Sequence, residues 1–134
     1  MKRHSLTILA FIAATFVTQA VSHFAVSADH YAAIPHIRKE PIFQFGFLAM
    51  LIQGAVLSVL YARIFRVHHT IKNAVGFSWM MGAFLVSYMA LAEVAKYTVP
   101  STASWIGVEM ASGFVQFTLF GILLWLVYRG AVTK

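Results

Sequence analysis

Residues 110–128, MASGFVQFTLFGILLWLVY, contain no Asp, Glu, Lys or Arg. A helix needs roughly 20 apolar residues to cross the hydrocarbon core of a bilayer, about 30 Å thick. Three further uncharged runs, 6–28, 42–62 and 74–92, precede this one. Lipid offers no partners to backbone N–H and C=O groups, so a spanning segment must be a helix or part of a closed barrel. The runs lack the strict alternation of barrel strands. The reading is therefore an all-α integral membrane protein, a four-helix antiparallel bundle forming a single polytopic domain over 1–134. Its expected spans are about 6–28, 42–62, 74–99 and 104–128, the last two widened because the apolar pattern continues past Glu93 and begins before Glu109.

Composition agrees. Hydrophobic residues make up 60% of the chain and charged ones 10%, against about 25% charged in soluble domains. No polar stretch is long enough for a second domain. Cysteine is absent, which excludes a disulfide framework, a thiolate metal site and a thiol nucleophile. Ten Lys and Arg outnumber four Asp and Glu, but they sit scattered in the gaps between apolar runs, where they orient a membrane protein rather than bind nucleic acid.

Lys2, Arg3, Arg63, Arg66, Lys72, Arg129 and Lys134 fall on one side of the expected membrane, and Arg38, Lys39 and Lys96 on the other. The positive-inside rule places the first group in the cytoplasm, giving an N-in/C-in topology. Tyr61, Trp79, Trp125 and Tyr128 then lie toward the inner interface and Tyr31, Tyr97 and Trp105 toward the outer one, where amphipathic rings belong. A competing reading of the first run is a cleaved signal peptide ending at Val26-Ser27-Ala28, although its apolar part exceeds the usual 7–15 residues. In general appearance the chain resembles small four-helix proteins of the bacterial inner (cytoplasmic) membrane, without a motif that names a family.

Short loops predict that sequential helices are neighbours. The longest connection, 29–41, reads as a solvated linker or a short interfacial flap. The adjacent His68 and His69 read as solvated, because neighbouring helix positions point in different directions.

Polar groups inside the spans carry the functional expectation, since an ionisable side chain in a bilayer is costly and turns toward the bundle interior or a wet cavity. Glu93 and Glu109 flank Pro100 at similar distances, and His23 and Gln44 lie close to the other outer loop. All four helices thus offer a polar residue at one outer level. Three- and four-residue steps put Trp105, Glu109, Ser112, Gly113 and Gln116 on one face of the fourth helix. The candidate site is Glu93, Glu109, His23, Gln44 and Gln116, binding a ligand, a cation or a proton.

In the structural alternative Lys96 holds Glu93, while Gln44 or His23 holds Glu109. A metal site on His23, Glu93 and Glu109 has suitable ligand types, but no close ligand spacing supports it. Phosphate loops, nucleophile elbows and His-Glu-x-x-His patterns are absent, so neither enzyme activity nor a cofactor is expected. The function expected is a small membrane protein with a carboxylate-containing pocket in the outer half of the bundle. The alternative is an accessory or assembly subunit of a larger membrane complex. The partners expected are the lipid bilayer and a second copy or a larger complex.

Overall fold

The computed structural model describes residues 1–35, 38, 40–65 and 69–130. Five helices follow in order: α1 (Lys2–Val26), α2 (Ala28–Ala32), α3 (Phe43–Ile64), α4 (Ile71–Ala92) and α5 (Thr102–Tyr128). All except α2 are long and apolar enough to cross a membrane. At most 33% of any span's apolar window is buried inside the bundle, so the remaining apolar surface is what lipid would cover.

Local chemistry sets the helix ends. Thr70 Oγ1 accepts the Asn73 N–H at 3.1 Å to start α4, and Ser101 Oγ accepts the Ser104 N–H at 3.2 Å to start α5 just after Pro100. Each cap satisfies a donor that has no partner in the first turn. Near their C-terminal ends α1 and α4 both widen into π-helical turns, Ser22–Val26 and Tyr88–Ala92. The third span therefore stops at Ala92 rather than Val99, and Glu93 begins the turn that follows.

The helices pack as an open row, α3 on α1, α1 on α5 and α5 on α4. Small residues let the backbones approach. Gly121 lies where an added Cβ would stand 2.8 Å from the Val75 Cα, and Gly54 where it would stand 3.3 Å from the Ile8 Cα. Phe11, Leu57, Phe77, Phe117, Phe120 and Leu124 fill the core between them. The sequential pair α3 and α4 hardly touches, meeting near its short connection through the Tyr61 and Phe77 rings, 5.3 Å apart.

Sequence order thus gives two close pairs, α1 with α3 and α4 with α5, while the third expected pair splays apart. The Arg3 guanidinium lies 5.8 Å from the Tyr128 ring centroid, so the start of α1 and the end of α5 share one end of the bundle. Of the residues that set orientation or loop character in the sequence, His36, Lys39, Arg66, His68 and Lys134 lie outside the described residues.

Candidate functional site

The splay of α3 from α4 opens a groove of about 810 Å³ in the half of the bundle away from the termini. Its apolar wall comes from Phe84, Leu85, Val86 and Met89 of α4, and its polar side from Gln19 of α1, Gln53 of α3, and Glu109 and Gln116 of α5. Glu109 lies four positions before Gly113 and Gln116 three after it, so the three share a helix face, and all are buried on the inward side of α5.

A chain of hydrogen bonds fixes the polar side. Tyr31 Oη donates to Glu109 Oε1 at 2.8 Å. Gln19 Nε2 donates to Gln116 Oε1 at 3.0 Å, and Gln116 Nε2 donates to Thr15 Oγ1 at 3.1 Å. The Ser22 and Ser112 hydroxyls pair at 2.9 Å. These bonds tie α1 and α2 to α5, and between membrane helices each such bond averages about 0.6 kcal/mol. They leave acceptors on the groove side: among the described residues, nothing donates to Glu109 Oε2 or Gln19 Oε1, and the Gln53 amide is unengaged.

The loop after α1 packs at the end of the bundle away from the termini. Tyr31, Ile34 and Trp105 form a small buried cluster with Val94 and Val99 packed against it. The π turn of α4 presents the Met89 carbonyl to this cluster, and Trp105 Nε1 donates to it at 3.0 Å. Single π turns inside α-helices occur frequently at functional sites. His30 Nδ1 shares a 3.2 Å bond with Ser104 Oγ, which pins the same loop to the start of α5.

Of the residues expected from sequence, Glu109 and Gln116 line the groove. His23 stands behind them. Its ring stacks on Tyr31 at 3.7 Å and its Nδ1 donates to the Gln19 carbonyl, so it supports the tyrosine that holds Glu109. Gln44 is elsewhere. Residues 41–49 are exposed because α3 meets α1 only through its later turns, at Gly54, Leu57, Ser58 and Tyr61. Depth had placed Gln44 with the others, but the lateral splay takes it away.

Glu93 does not line the groove either, since the π turn brings Ala92 to the wall instead. Lys96, expected to hold Glu93, donates to Tyr88 Oη at 3.2 Å and sits 5.0 Å from that ring's centroid. The Tyr88 hydroxyl keeps the Lys96 ammonium above its ordinary range, with Glu93 the smallest of the influences. Among the described residues no three His, Asp or Glu side chains gather in a metal-binding group, and His23, Glu93 and Glu109 are not brought together.

Tyr31 was the residue missed. As a loop aromatic it read as an interface anchor, and only the fold of α2 brings it to Glu109, 78 positions away. Burial, first, and then the hydrogen bond to Glu109 and its charge raise the Tyr31 phenol well above its ordinary range, with a weaker opposing pull from Ser22. The folded state thus favours the protonated phenol, a contribution present below about pH 10, where free tyrosine titrates, and lost as pH rises through the folded value. Phenolate absorbance should show a late alkaline step that Tyr31→Phe removes. Glu109→Gln should move it to lower pH; an unmoved step would separate Tyr31 from Glu109.

No protein-family model matches the chain, and no curated protein or solved structure is significantly similar to it.

Proposed function

We propose that this multi-pass membrane protein binds a small amphiphile in the groove between α3 and α4, with a hydrogen-bond-donating head on Glu109, Gln19 and Gln53. The apolar body would lie against Phe84, Leu85 and Met89 and enter sideways from lipid. The observation that carries this reading is the pairing of unengaged acceptors, Glu109 Oε2 among them, with a groove of about 810 Å³ that is otherwise apolar. Sites for small molecules have this character, an apolar cleft with few polar groups that orient the ligand. Binding or carriage rather than catalysis fits the donor set, which lacks a nucleophile paired with a base. The basic end would face the cytoplasm of a bacterial inner membrane.

Trp105, whose indole is fixed one turn from Glu109, is a built-in reporter. In nanodiscs of a Trp79→Phe, Trp125→Phe background, a bromine-tagged long-chain amine should quench Trp105 saturably, and the matching alkanoate should not. Glu109→Gln should weaken the amine by about tenfold, a difference of about 1.4 kcal/mol. Equal quenching by amine and alkanoate, unchanged in Glu109→Gln, would discard the reading.

A second reading, an accessory subunit, is favoured by the exposed first turns of α3, where Phe43, Phe45 and Phe47 project from a stretch that no other described element covers. Helix faces of this kind pack on partner spans as readily as on lipid. Extraction in mild detergent at native abundance, followed by mass measurement, separates the two readings: a larger assembly supports the subunit, and a lone chain argues against it.

A further inference from the structure

A second cavity, of about 410 Å³, lies at the end of the bundle that carries the termini, lined in part by Lys2, Arg3, His4, Phe65, His69 and Tyr128. Among the described residues no Asp or Glu belongs to its lining. Tyr128 is only 4% exposed, yet its hydroxyl has no hydrogen-bond partner among the described residues. Directly behind it Tyr61 is fully buried, its ring 5.0 Å from that of Tyr128, and its hydroxyl is also unpartnered.

In the other half of the bundle Tyr31 pairs with Glu109 and Ser22 with Ser112, while Ser78 Oγ and His30 Nε2 are, like the two phenols, buried without a partner among the described residues. Buried hydroxyls left without an acceptor carry a desolvation cost that a ligand with acceptor oxygens would remove. The charges agree with such a ligand. Arg3 places its guanidinium 5.8 Å from the Tyr128 ring centroid, and the His69 ring is 4.8 Å from the same ring. His4 is steadied by a 2.6 Å bond between its Nδ1 and Ser58 Oγ. The first turn of α1 has no side-chain cap, so its backbone N–H groups add to the positive field.

We infer that this cavity holds a phosphate group. Its several oxygens accept from the Tyr128 phenol and from the Arg3 fork, a geometry that guanidinium matches better than any other side chain. The cavity sits where the spans end at Ile64 and Tyr128, the level of lipid headgroups, and an anionic lipid or a free phosphate can supply the same chemistry.

The test uses the full chain in phosphatidylcholine nanodiscs, in two arms. In the first, phosphatidic acid is added and native mass spectrometry counts retained lipid. In the second, inorganic phosphate is titrated against chloride at matched ionic strength and thermal unfolding is followed. One phosphatidic acid retained per chain, or a rise in Tm with phosphate, supports the site and identifies the source.

Either effect should fall about tenfold in Arg3→Gln and in Tyr128→Phe and persist in Lys72→Gln, an exposed basic residue outside the lining. Without added anion Tyr128→Phe should melt at the same temperature or higher, because it removes an unpartnered hydroxyl. No response in either arm, a response that survives both variants, or a Tyr128→Phe protein destabilised in the absence of anion would overturn the inference.

Discussion

Gly121→Leu should cost about 3 kcal/mol of stability, the upper end of the usual range for overpacking, and break the α4–α5 pair. An added Cβ there would stand 2.8 Å from the Val75 Cα, a backbone atom that cannot rotate away, with Ser78 at 3.2 Å on the same side. Gly113 is tighter on paper, 2.4 Å from Val86 Cγ2, but a valine methyl can turn, so Gly113→Leu should cost less. Gly107 has nothing within 4 Å, and Gly107→Leu should change stability by no more than about 0.5 kcal/mol. Reversible unfolding in mixed micelles, read by circular dichroism, gives all three. Equal losses at Gly121 and Gly107 would mean that the α4–α5 contact is not as close as described.

Glu109→Leu should lower stability by about 1–3 kcal/mol, because it leaves the buried Tyr31 hydroxyl without its acceptor. Tyr31→Phe alone should cost less, since the Glu109 carboxylate still lines the groove. The double variant should recover part of the Glu109→Leu loss. A coupling energy of about 1–2 kcal/mol is expected for two directly bonded groups. The same micelle unfolding provides the cycle, and strict additivity would show that the 2.8 Å contact contributes nothing of its own.

Uncharged runs about 20 residues long state their structure almost without ambiguity, because lipid admits so few alternatives. The inward face of α5 was equally legible. Trp105, Glu109, Gly113 and Gln116 recur at helical steps, and all are buried. A helix's own periodicity encodes which of its residues point together.

What it does not encode is where the neighbouring helix goes. Gln44 lies at the right depth but on the part of α3 that leaves the bundle. Glu93 lies at the right height but beyond a π turn, a local backbone choice with no signature in Tyr88–Ala92. Tyr31 was invisible for a related reason, since a short helix in a loop carries too few residues for periodicity to reveal its buried side. The phenols of Tyr61 and Tyr128 read as ordinary interface aromatics, and only the contact of their rings at the end of the bundle shows that their hydroxyls are enclosed.

The groove itself can be mapped without knowing its natural occupant. A long-chain amine carrying a photoreactive diazirine near its head, irradiated with the protein in nanodiscs and followed by peptide mass spectrometry, reports where an amphiphile rests. Adducts should concentrate on Gln53 and on the α4 wall, Leu85, Met89 and Ala92, and should fade in Glu109→Gln. Adducts spread evenly over the lipid-facing surface, or gathered instead on the shallow cleft of Val17, Val21, Val108 and Ala111 between α1 and α5, would contradict a binding site between α3 and α4.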